Sequence, residues 1–385
     1  MRDFRVAVLY ASVGTGHKTA AMALTRWFQS ECPGVKTVCL DTLAYSSPLV
    51  RGIYTRSYLE MVRRVPQLWG YFYESMEHPE SQDGVLSTLN ELAEKLNLAK
   101  LRLSLESFAP DIILFTHFFG TGAVVSAFPD IPVYYVNTDF LSHIFHRSRS
   151  FSGWFVASED AVRQYEADGL DMDRVVFSGI PIDPEYCVPP ARREARDRLG
   201  IRGETPAVLV VSGGIGVGPI EGVVESLVRQ DGLDVFAICG RNEELAEALK
   251  VRFEDEPRVR VEGFVNGLLD WYCASDLVIM KPGGLCCSEA LALGKPILIM
   301  DPIPGQEQRN SDVLLDHGAA RTLLEYRSAG DKARAILGDP AERARLEAGA
   351  KKLAKPAAGR WIVRTLAGWH GIELEREIEL EREKE

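Results

Sequence analysis

Three glycine-rich turns carry the side chains of this sequence that could do chemistry, and each follows a short apolar run. They are SVGTGHK (12–18), SGGIGVG (212–218) and KPGGLCCSEA (281–290). Glycines allow backbone N–H groups to approach a ligand closely, and a helix that begins at such a turn favours negative charge at its N-terminus. The three turns therefore indicate places where an anionic ligand could bind.

His17 is the titratable side chain of the first turn. An imidazole held in the first turn of a helix can act as a base or bond to a ligand, and a helix-capping role is the alternative. A dinucleotide site is a second interpretation, with Gly14 and Gly16 followed by Asp41 at the end of the next strand. It fits poorly, because Thr19 occupies the third glycine position.

The segment NTDFLSHIFH (137–146) supplies Asp139, His143 and His146 after another predicted strand. An aspartate beside a histidine can orient the ring or act as a base itself. The three side chains could also hold a metal, but their spacing matches no strong ligand signature, and we expect no metal.

The second and third turns are suited to different parts of a nucleotide. SGGIGVG is a candidate phosphate cradle, or alternatively a flexible connection, and it is not a P-loop because no GK[ST] follows. In the third turn we expect a helix from about Leu285, so that Glu289 lies about one turn in and can accept two ribose hydroxyls. The amide of Gln306 and the carboxylate of Glu307, with Asn310 nearby, suit sugar hydroxyls.

Composition narrows the class of protein. The net charge of −11 over 385 residues argues against a nucleic-acid partner. The seven cysteines form no CxxC pair and are expected to be reduced core residues. No apolar segment approaches the roughly 20 residues of a membrane helix, and the first ten residues do not resemble a cleavable signal. We therefore expect a cytoplasmic location.

Short apolar runs alternate with helical patterns along the chain, which predicts parallel sheets covered on both faces. Strands are predicted at 5–10, 36–41, 111–117, 133–139, 154–158, 175–180, 207–214, 234–240, 258–264, 277–283 and 296–302. The proline-rich run GIPIDPEYCVPP separates the two sets. We predict an α/β protein with an N-terminal domain (1–180), a linker (181–190), a C-terminal domain (191–355), a helix (356–370) that packs back on the first domain, and a charged tail (371–385). Ligands of such folds bind at the carboxyl ends of the strands.

Four motifs together resemble a known family. KPGG with SEALALGKPIL, PIPGQEQRN, GTGH near the N-terminus and TDF followed by histidine are similar to the processive diacylglycerol glycosyltransferases and the monogalactosyldiacylglycerol synthases of glycosyltransferase family 28. The resemblance extends from about residue 6 to 325. It implies a GT-B fold, in which two Rossmann-like doubly wound domains face each other across a cleft. The second domain would bind a UDP-sugar, and the first would bind the acceptor.

The resemblance also implies residue roles. His17 would be the catalytic base, and Asp139 and His143 would line the acceptor side. Glu289 would hold the ribose, and Gln306 and Glu307 the donor sugar. Gly213, Gly214 and Gly216 would hold the diphosphate, and the backbone around Phe264 and Val265 would contact uracil. The remaining positions expected to bind the donor are Gly14, Gly16, Ser212, Pro282, Gly283, Gly284 and Asn310. No cofactor or metal is implied, because amides and helix dipoles would meet the charge of the departing UDP.

The segment from residue 45 to 78 is the candidate acceptor region. Its aromatic residues at helical spacing alternate with several arginines, a pattern that suits a membrane surface or a lipid tail. A helix packed on its own domain is the alternative interpretation.

The expected function is inverting transfer of a hexose, glucose or galactose, from UDP-sugar to a lipid acceptor such as diacylglycerol, at the inner face of the cell membrane. The alternatives are a UDP-N-acetylglucosamine transferase acting on a polyprenyl-linked or other acceptor, a nucleotide-sugar epimerase or hydrolase of the same fold, and a non-catalytic binding module.

Overall fold

The first sheet lies at the start of the chain. The computed structural model describes residues 3–47, 51–52, 99–214, 216 and 218–375, and these ranges contain two six-stranded sheets. The first is formed by β1 (Arg5–Tyr10), β2 (Lys36–Asp41), β3 (Ile112–Phe115), β4 (Val133–Val136), β5 (Gly153–Val156) and β6 (Val175–Phe177). Its order is β2-β1-β3-β4-β5-β6, and every pair is parallel.

Helices cover both faces of this sheet. They are α1 (Gly16–Glu31), α2 (Ala99–Phe108), α3 (Thr121–Ala127) and α4 (Glu159–Ala167). Alternate residues of β1 point to opposite faces, so Val6 and Val8 pack with α1 whereas Ala7 and Leu9 pack with α2, α3 and α4. Burial on both faces explains why these strands are continuous apolar runs.

The second sheet repeats the same design. Its strands are β7 (Ala207–Val211), β8 (Asp234–Ile238), β9 (Val259–Glu262), β10 (Leu277–Met280), β11 (Ile297–Met300) and β12 (Ala320–Leu323), in the parallel order β12-β11-β10-β7-β8-β9. The helices are α5 (Arg192–Arg198), α6 (Ile220–Val228), α7 (Glu243–Arg252), α8 (Leu269–Ala274), α9 (Gly284–Ala292), α10 (Gln306–Asp316), α11 (Ala329–Gly338) and α12 (Pro340–Leu353).

The strand order reverses once in each sheet, between β1 and β3 and between β7 and β10. Such a switch point opens a crevice at the carboxyl ends of the strands, where ligands of doubly wound folds bind. The first glycine-rich turn follows β1, the second follows β7 and the third follows β10. All three turns therefore lie at switch points.

The chain passes between the two sheets twice, and the two passages touch. Residues 181–190 contain a 3-10 turn, Pro184–Cys187, and bury Ile182 in the core of the second sheet. The return leads to α13 (Ala358–His370), which buries Ile362 and Leu366 against the first sheet. A Cβ placed on Gly179 would lie 2.5 Å from the Cβ of Lys355, so the outgoing and returning chains are in direct contact.

Several sequence expectations need adjustment. Most predicted strands end two or three residues earlier than expected, because their last polar or glycine residues already belong to the loops. β12 was missed: it is a short edge strand with an exposed Arg321. Residues 54–73, which hold the aromatic and basic side chains of the candidate acceptor region, lie outside the described residues, as does the tail from residue 376. Among the described helices, none is long and apolar enough to cross a bilayer.

Candidate active site

His17 lies in the first turn of α1, as the sequence predicts. Its Nδ1 is 2.8 Å from the carbonyl oxygen of Thr116, at the end of β3 across the switch point. The hydroxyl of Thr138 is 2.8 Å from the same nitrogen. A carbonyl oxygen can only accept, so Nδ1 carries the hydrogen and the lone pair of the neutral ring is on Nε2. The site therefore holds an imidazole in the tautomer that can accept a proton at Nε2.

Burial lowers the pKa of His17, and the nearby Asp139 carboxylate opposes that effect. The ring of His117 meets His17 edge-on, with ring centroids 4.6 Å apart. Burial also holds the pKa of His117 well below its usual range, and the Nδ1 of His117 accepts the backbone N–H of Phe119 at 3.0 Å. Burial thus favours the neutral imidazole of His17, although the Asp139 carboxylate opposes this.

Asp139 connects the two domains. It is buried, and its carboxylate accepts hydrogen bonds from Gln306 Nε2 at 2.6 Å and from Asn310 Nδ2 at 2.9 Å. Asn310 Nδ2 also lies 3.1 Å from the carbonyl oxygen of Pro282, and Asn310 Oδ1 accepts the backbone N–H of Phe140. Burial raises the pKa of Asp139, and the two amide donors oppose that rise. This bridge joins the end of β4 to the start of α10.

His143 has a different environment from His17. It is buried and caps the 3-10 turn Ile144–His146, where its side chain accepts the backbone N–H of Phe145. Its place on the acceptor side therefore stays a prediction. Among the described residues, no group of three or more His, Cys, Asp and Glu side chains is arranged to hold a metal ion.

The second turn brings backbone groups to the β7 switch point. Ser212 is buried, and its hydroxyl donates to the carbonyl oxygen of Ile238 at 3.1 Å. Gly213 and Gly216 adopt positive φ angles of 71° and 74°, which favour glycine. A Cβ on Gly216 would lie 2.3 Å from the carbonyl oxygen of Cys239. The glycines at these positions are thus required by the path of the turn.

The third turn opens α9 and leads to Glu289. The helix begins at Gly284, so Glu289 lies about one and a half turns in, slightly further than predicted. Its carboxyl group is buried, which raises its pKa to about 8, and the nearby hydroxyl groups of Tyr186 and Tyr272 oppose that rise. A protonated carboxyl group surrounded by phenol hydroxyls can exchange hydrogen bonds with a ligand's hydroxyls. Its ribose-binding role stays a prediction.

Glu307 and Lys281 lie close together in the same crevice. Glu307 accepts the backbone N–H of Ile303 at 2.8 Å, and burial raises its pKa whereas Lys281 lowers it. The Nζ of Lys281 lies 3.2 Å from Asp301 Oδ2 and 3.8 Å from Glu307 Oε2. Sequence reasoning missed Lys281, although its position directly after the apolar run LVIM placed it at the carboxyl end of a central strand.

Phe264 follows β9, and 53% of its surface is exposed. The guanidinium of Arg241 lies over its ring, 5.5 Å from the centroid. Val265 is half-buried and packs against the core of the second sheet. The expected uracil contacts of both residues stay predictions.

The two domains meet at the glycine turns. A Cβ on Gly284 would lie 2.1 Å from the carbonyl oxygen of Thr138, and one on Gly214 would lie 2.2 Å from the side chain of Thr15. Gly16 is close to Leu285 across the same contact. The structure therefore brings the loops of His17, Asp139, Gly214 and Glu289 to one interdomain crevice.

Two protein families match this chain, one in each domain. The sequence profile of monogalactosyldiacylglycerol (MGDG) synthase matches residues 17–182, and that of the glycosyltransferase family 28 C-terminal domain matches residues 207–358. Processive diacylglycerol beta-glucosyltransferases are similar over most of the chain. That of Bacillus cereus is 27% identical over 384 residues, covering 97% of this chain and 96% of its own, and that of Bacillus cytotoxicus is 26% identical over 374 residues, covering 94% and 93%.

Solved structures share the fold at low sequence identity. MurG of Acinetobacter baumannii superimposes with a TM-score of 0.60 at 17% identity, over 95% of this chain and 99% of that chain. The complex of Staphylococcus aureus MnaA with UDP superimposes with a TM-score of 0.65 at 12% identity, over 96% of this chain and 98% of that chain. The calicheamicin glycosyltransferase CalG4 gives 0.61 at 14% identity, over 96% and 99%.

Two Rossmann-like domains with polar residues gathered between them are the GT-B architecture, so the expected fold is confirmed. The chain thus carries an N-terminal domain of the MGDG synthase type and a C-terminal domain of glycosyltransferase family 28. The expected family and class of enzyme, a glycosyltransferase, are confirmed by these matches.

Proposed function

We propose that this glycosyltransferase moves a hexose, glucose or galactose, from a UDP-sugar to diacylglycerol at a membrane surface, with inversion at the anomeric carbon. The names of the relatives support the lipid acceptor and the hexose, and the UDP bound to one protein of the same fold supports the donor. The observation that carries the mechanism is the bond from His17 Nδ1 to the Thr116 carbonyl, which reserves Nε2 for proton transfer.

In the proposed reaction, Nε2 of His17 accepts the proton of the acceptor hydroxyl as that oxygen attacks the anomeric carbon. The bond from the anomeric carbon to the phosphate oxygen breaks on the opposite side, and UDP leaves. Backbone amides of the second turn and the N-terminus of α9 face the negative charge of the departing group. Glu289 holds the ribose, and Glu307 with Gln306 holds the sugar. For Gln306 to do so, its amide exchanges Asp139 for a sugar hydroxyl.

The substrate assignment is tested by incubating the protein with UDP-glucose, UDP-galactose or UDP-N-acetylglucosamine, with and without vesicles that contain diacylglycerol. We expect UDP release from one of the two hexose donors only when the vesicles are present, and a β-linked glycolipid by NMR. Turnover without lipid would instead favour an epimerase or hydrolase, and binding without turnover would favour a binding module. Preference for UDP-N-acetylglucosamine with another lipid acceptor would favour the remaining alternative.

The role of His17 is tested by His17→Ala. We expect kcat to fall by about 100-fold or more, with little change in the affinity for UDP, because the base acts in the transfer step. Lys18→Ala is the matched control, since Lys18 is the next residue of the same helix and is exposed. Unchanged turnover of the His17 variant would remove it from the base role.

A further inference from the structure

Lys281 is a buried lysine to which the proposed reaction has so far given no role. It directly follows β10, and only 7% of its surface is exposed. Burying an ammonium group is costly unless it is paired, and an apolar side chain of similar size is often as stable at such a position. Its presence at the end of a central strand therefore indicates that its positive charge has a function other than stabilising the fold.

The position of Lys281 places that charge beneath the second glycine turn. β10 pairs with β7, with Met280 opposite Val211, so the residues that follow both strands lie side by side at the switch point. A Cβ on Gly218 would lie 3.8 Å from Lys281 Cδ and 3.7 Å from Asp301 Oδ2. The side chain of Lys281 is thus next to the backbone that is expected to hold phosphate.

The present partners of Lys281 leave it able to change contacts. Asp301 lies 3.2 Å away, but its side chain is 56% exposed, and ion pairs with an exposed partner are weak. Glu307 is the more buried partner, at 3.8 Å. A diphosphate brought into the crevice offers several oxygens and more negative charge than one screened carboxylate.

We propose that Lys281 is the cation that binds the diphosphate of the donor: its ammonium group leaves Asp301 and pairs with phosphoryl oxygens of the nucleotide. This inference rests on the proposed function. As the bond between the anomeric carbon and the phosphate oxygen breaks, its electron pair stays on that oxygen, and Lys281 meets the new charge without giving up a proton. It supplements the amides and helix dipoles, which sequence reasoning took to be sufficient.

The first test compares UDP with uridine by calorimetry on the full chain. Lys281→Met should weaken UDP binding by about 10- to 100-fold, as expected for loss of a bond between charged groups, and change uridine binding by less than about twofold. Lys281→Arg should restore part of the UDP affinity. The control is Lys295→Met. Lys295 donates to the carbonyl oxygen of Ser275 at the amino ends of β10 and β11, at the opposite end of these strands from Lys281.

The second test is Asp301→Asn, which removes the competing carboxylate. Asp301 has a φ of 42°, a conformation that asparagine tolerates well, so this variant should fold. We expect UDP to bind about two- to fivefold more tightly, the range of a weak ion pair, and uridine to bind as before.

The outcomes separate the two proposals. Equal losses for UDP and uridine in Lys281→Met, or no loss for either, would overturn the role of Lys281 while leaving the enzyme's use of UDP-sugar intact. Weaker UDP binding by Asp301→Asn would also overturn it. If the wild-type protein does not bind UDP at all, the proposed function fails and this inference fails with it.

Discussion

Replacing Glu289 with glutamine should change the number of protons that the protein releases when it binds a ribose. Burial raises the pKa of Glu289 to about 8, so at pH 7 about nine in ten molecules carry a protonated carboxyl group. Ribose hydroxyls that donate to the carboxylate favour its ionised form and lower that pKa. Binding therefore expels up to about 0.9 proton at pH 7.

The assay is calorimetric titration with uridine, which has no group of its own that titrates near pH 7, in phosphate and in Tris buffer. The buffers differ in ionisation enthalpy, so their apparent binding enthalpies differ in proportion to the protons released. The affinity of the wild-type protein should rise with pH by up to about tenfold per unit below pH 8 and level off above it. Glu289→Gln should show no proton release and weaker binding, by about 1 to 3 kcal/mol.

The same shift has a consequence for stability. The folded-state pKa of Glu289 is above its usual value of 4.5, so between about pH 4.5 and 8 the folded state binds more protons than the unfolded state. The free energy of unfolding therefore contains a contribution that is present at low pH and is lost as pH rises through that window. Glu289→Gln should reduce this fall in the free energy of unfolding as pH rises. In the calorimetric titration with uridine, binding enthalpies of the wild-type protein that do not depend on the buffer would refute the reasoning. Equal proton release by the wild-type protein and Glu289→Gln would also refute it.

Three further substitutions test the packing. Gly284→Ala should lower transfer activity and increase the radius of gyration in small-angle X-ray scattering, because its Cβ would lie 2.1 Å from the Thr138 carbonyl oxygen and force the domains apart. Gly359→Ala should lower the free energy of unfolding by about 1 to 3 kcal/mol, measured by urea denaturation, since its Cβ would lie 2.0 Å from the buried ring of Trp27. Asp139→Asn should lower it by about 1 to 3 kcal/mol as well, because one of two amide donors loses its acceptor.

Each of these substitutions has a control. A Cβ on Gly283 meets nothing within 4 Å, so Gly283→Ala should leave the scattering curve unchanged. Gly368 has equally open space within α13, so Gly368→Ala should stabilise the protein by about 0.5 to 1 kcal/mol. Asp312 accepts an exposed amide hydrogen bond from Gln308, and Asp312→Asn should have little effect on stability. Controls that change as much as the test variants would contradict the packing argument.

The sequence predicted the central strands and also the edge strands β2, β6 and β9. β3 (IILF) and β11 (ILIM) are fully buried, and a strand covered on both sides has to be apolar throughout. β12 (ARTL) was missed because its two buried residues, Ala320 and Leu323, stand at its ends with the exposed Arg321 and a threonine between them, so it contains no apolar run. Local pattern thus identifies a strand where apolar residues are continuous or alternate, whether the strand is central or at an edge.

The site was predictable where it depends on neighbours in sequence. His17 was placed correctly in the first turn of its helix, because glycine turns after apolar runs mark helix starts. Glu289 was placed in the correct helix, but about half a turn too close to its start. The bond of Gln306 to Asp139 joins residues 167 positions apart and depends on how the domains meet. The burial of Lys281 was equally hidden, since a lysine after a strand usually lies in solvent.

The return of α13 to the first sheet has a consequence for biosynthesis. Ile362 and Leu366 complete a core that includes Trp27, more than 300 residues earlier in the chain. The strands of the first domain emerge from the ribosome long before α13 does. The strands of the second domain are consecutive in the chain, so that domain can fold before α13 is synthesised. The domain that is synthesised first is therefore the one completed last, because the apolar surface beside Trp27 stays uncovered until α13 has been synthesised.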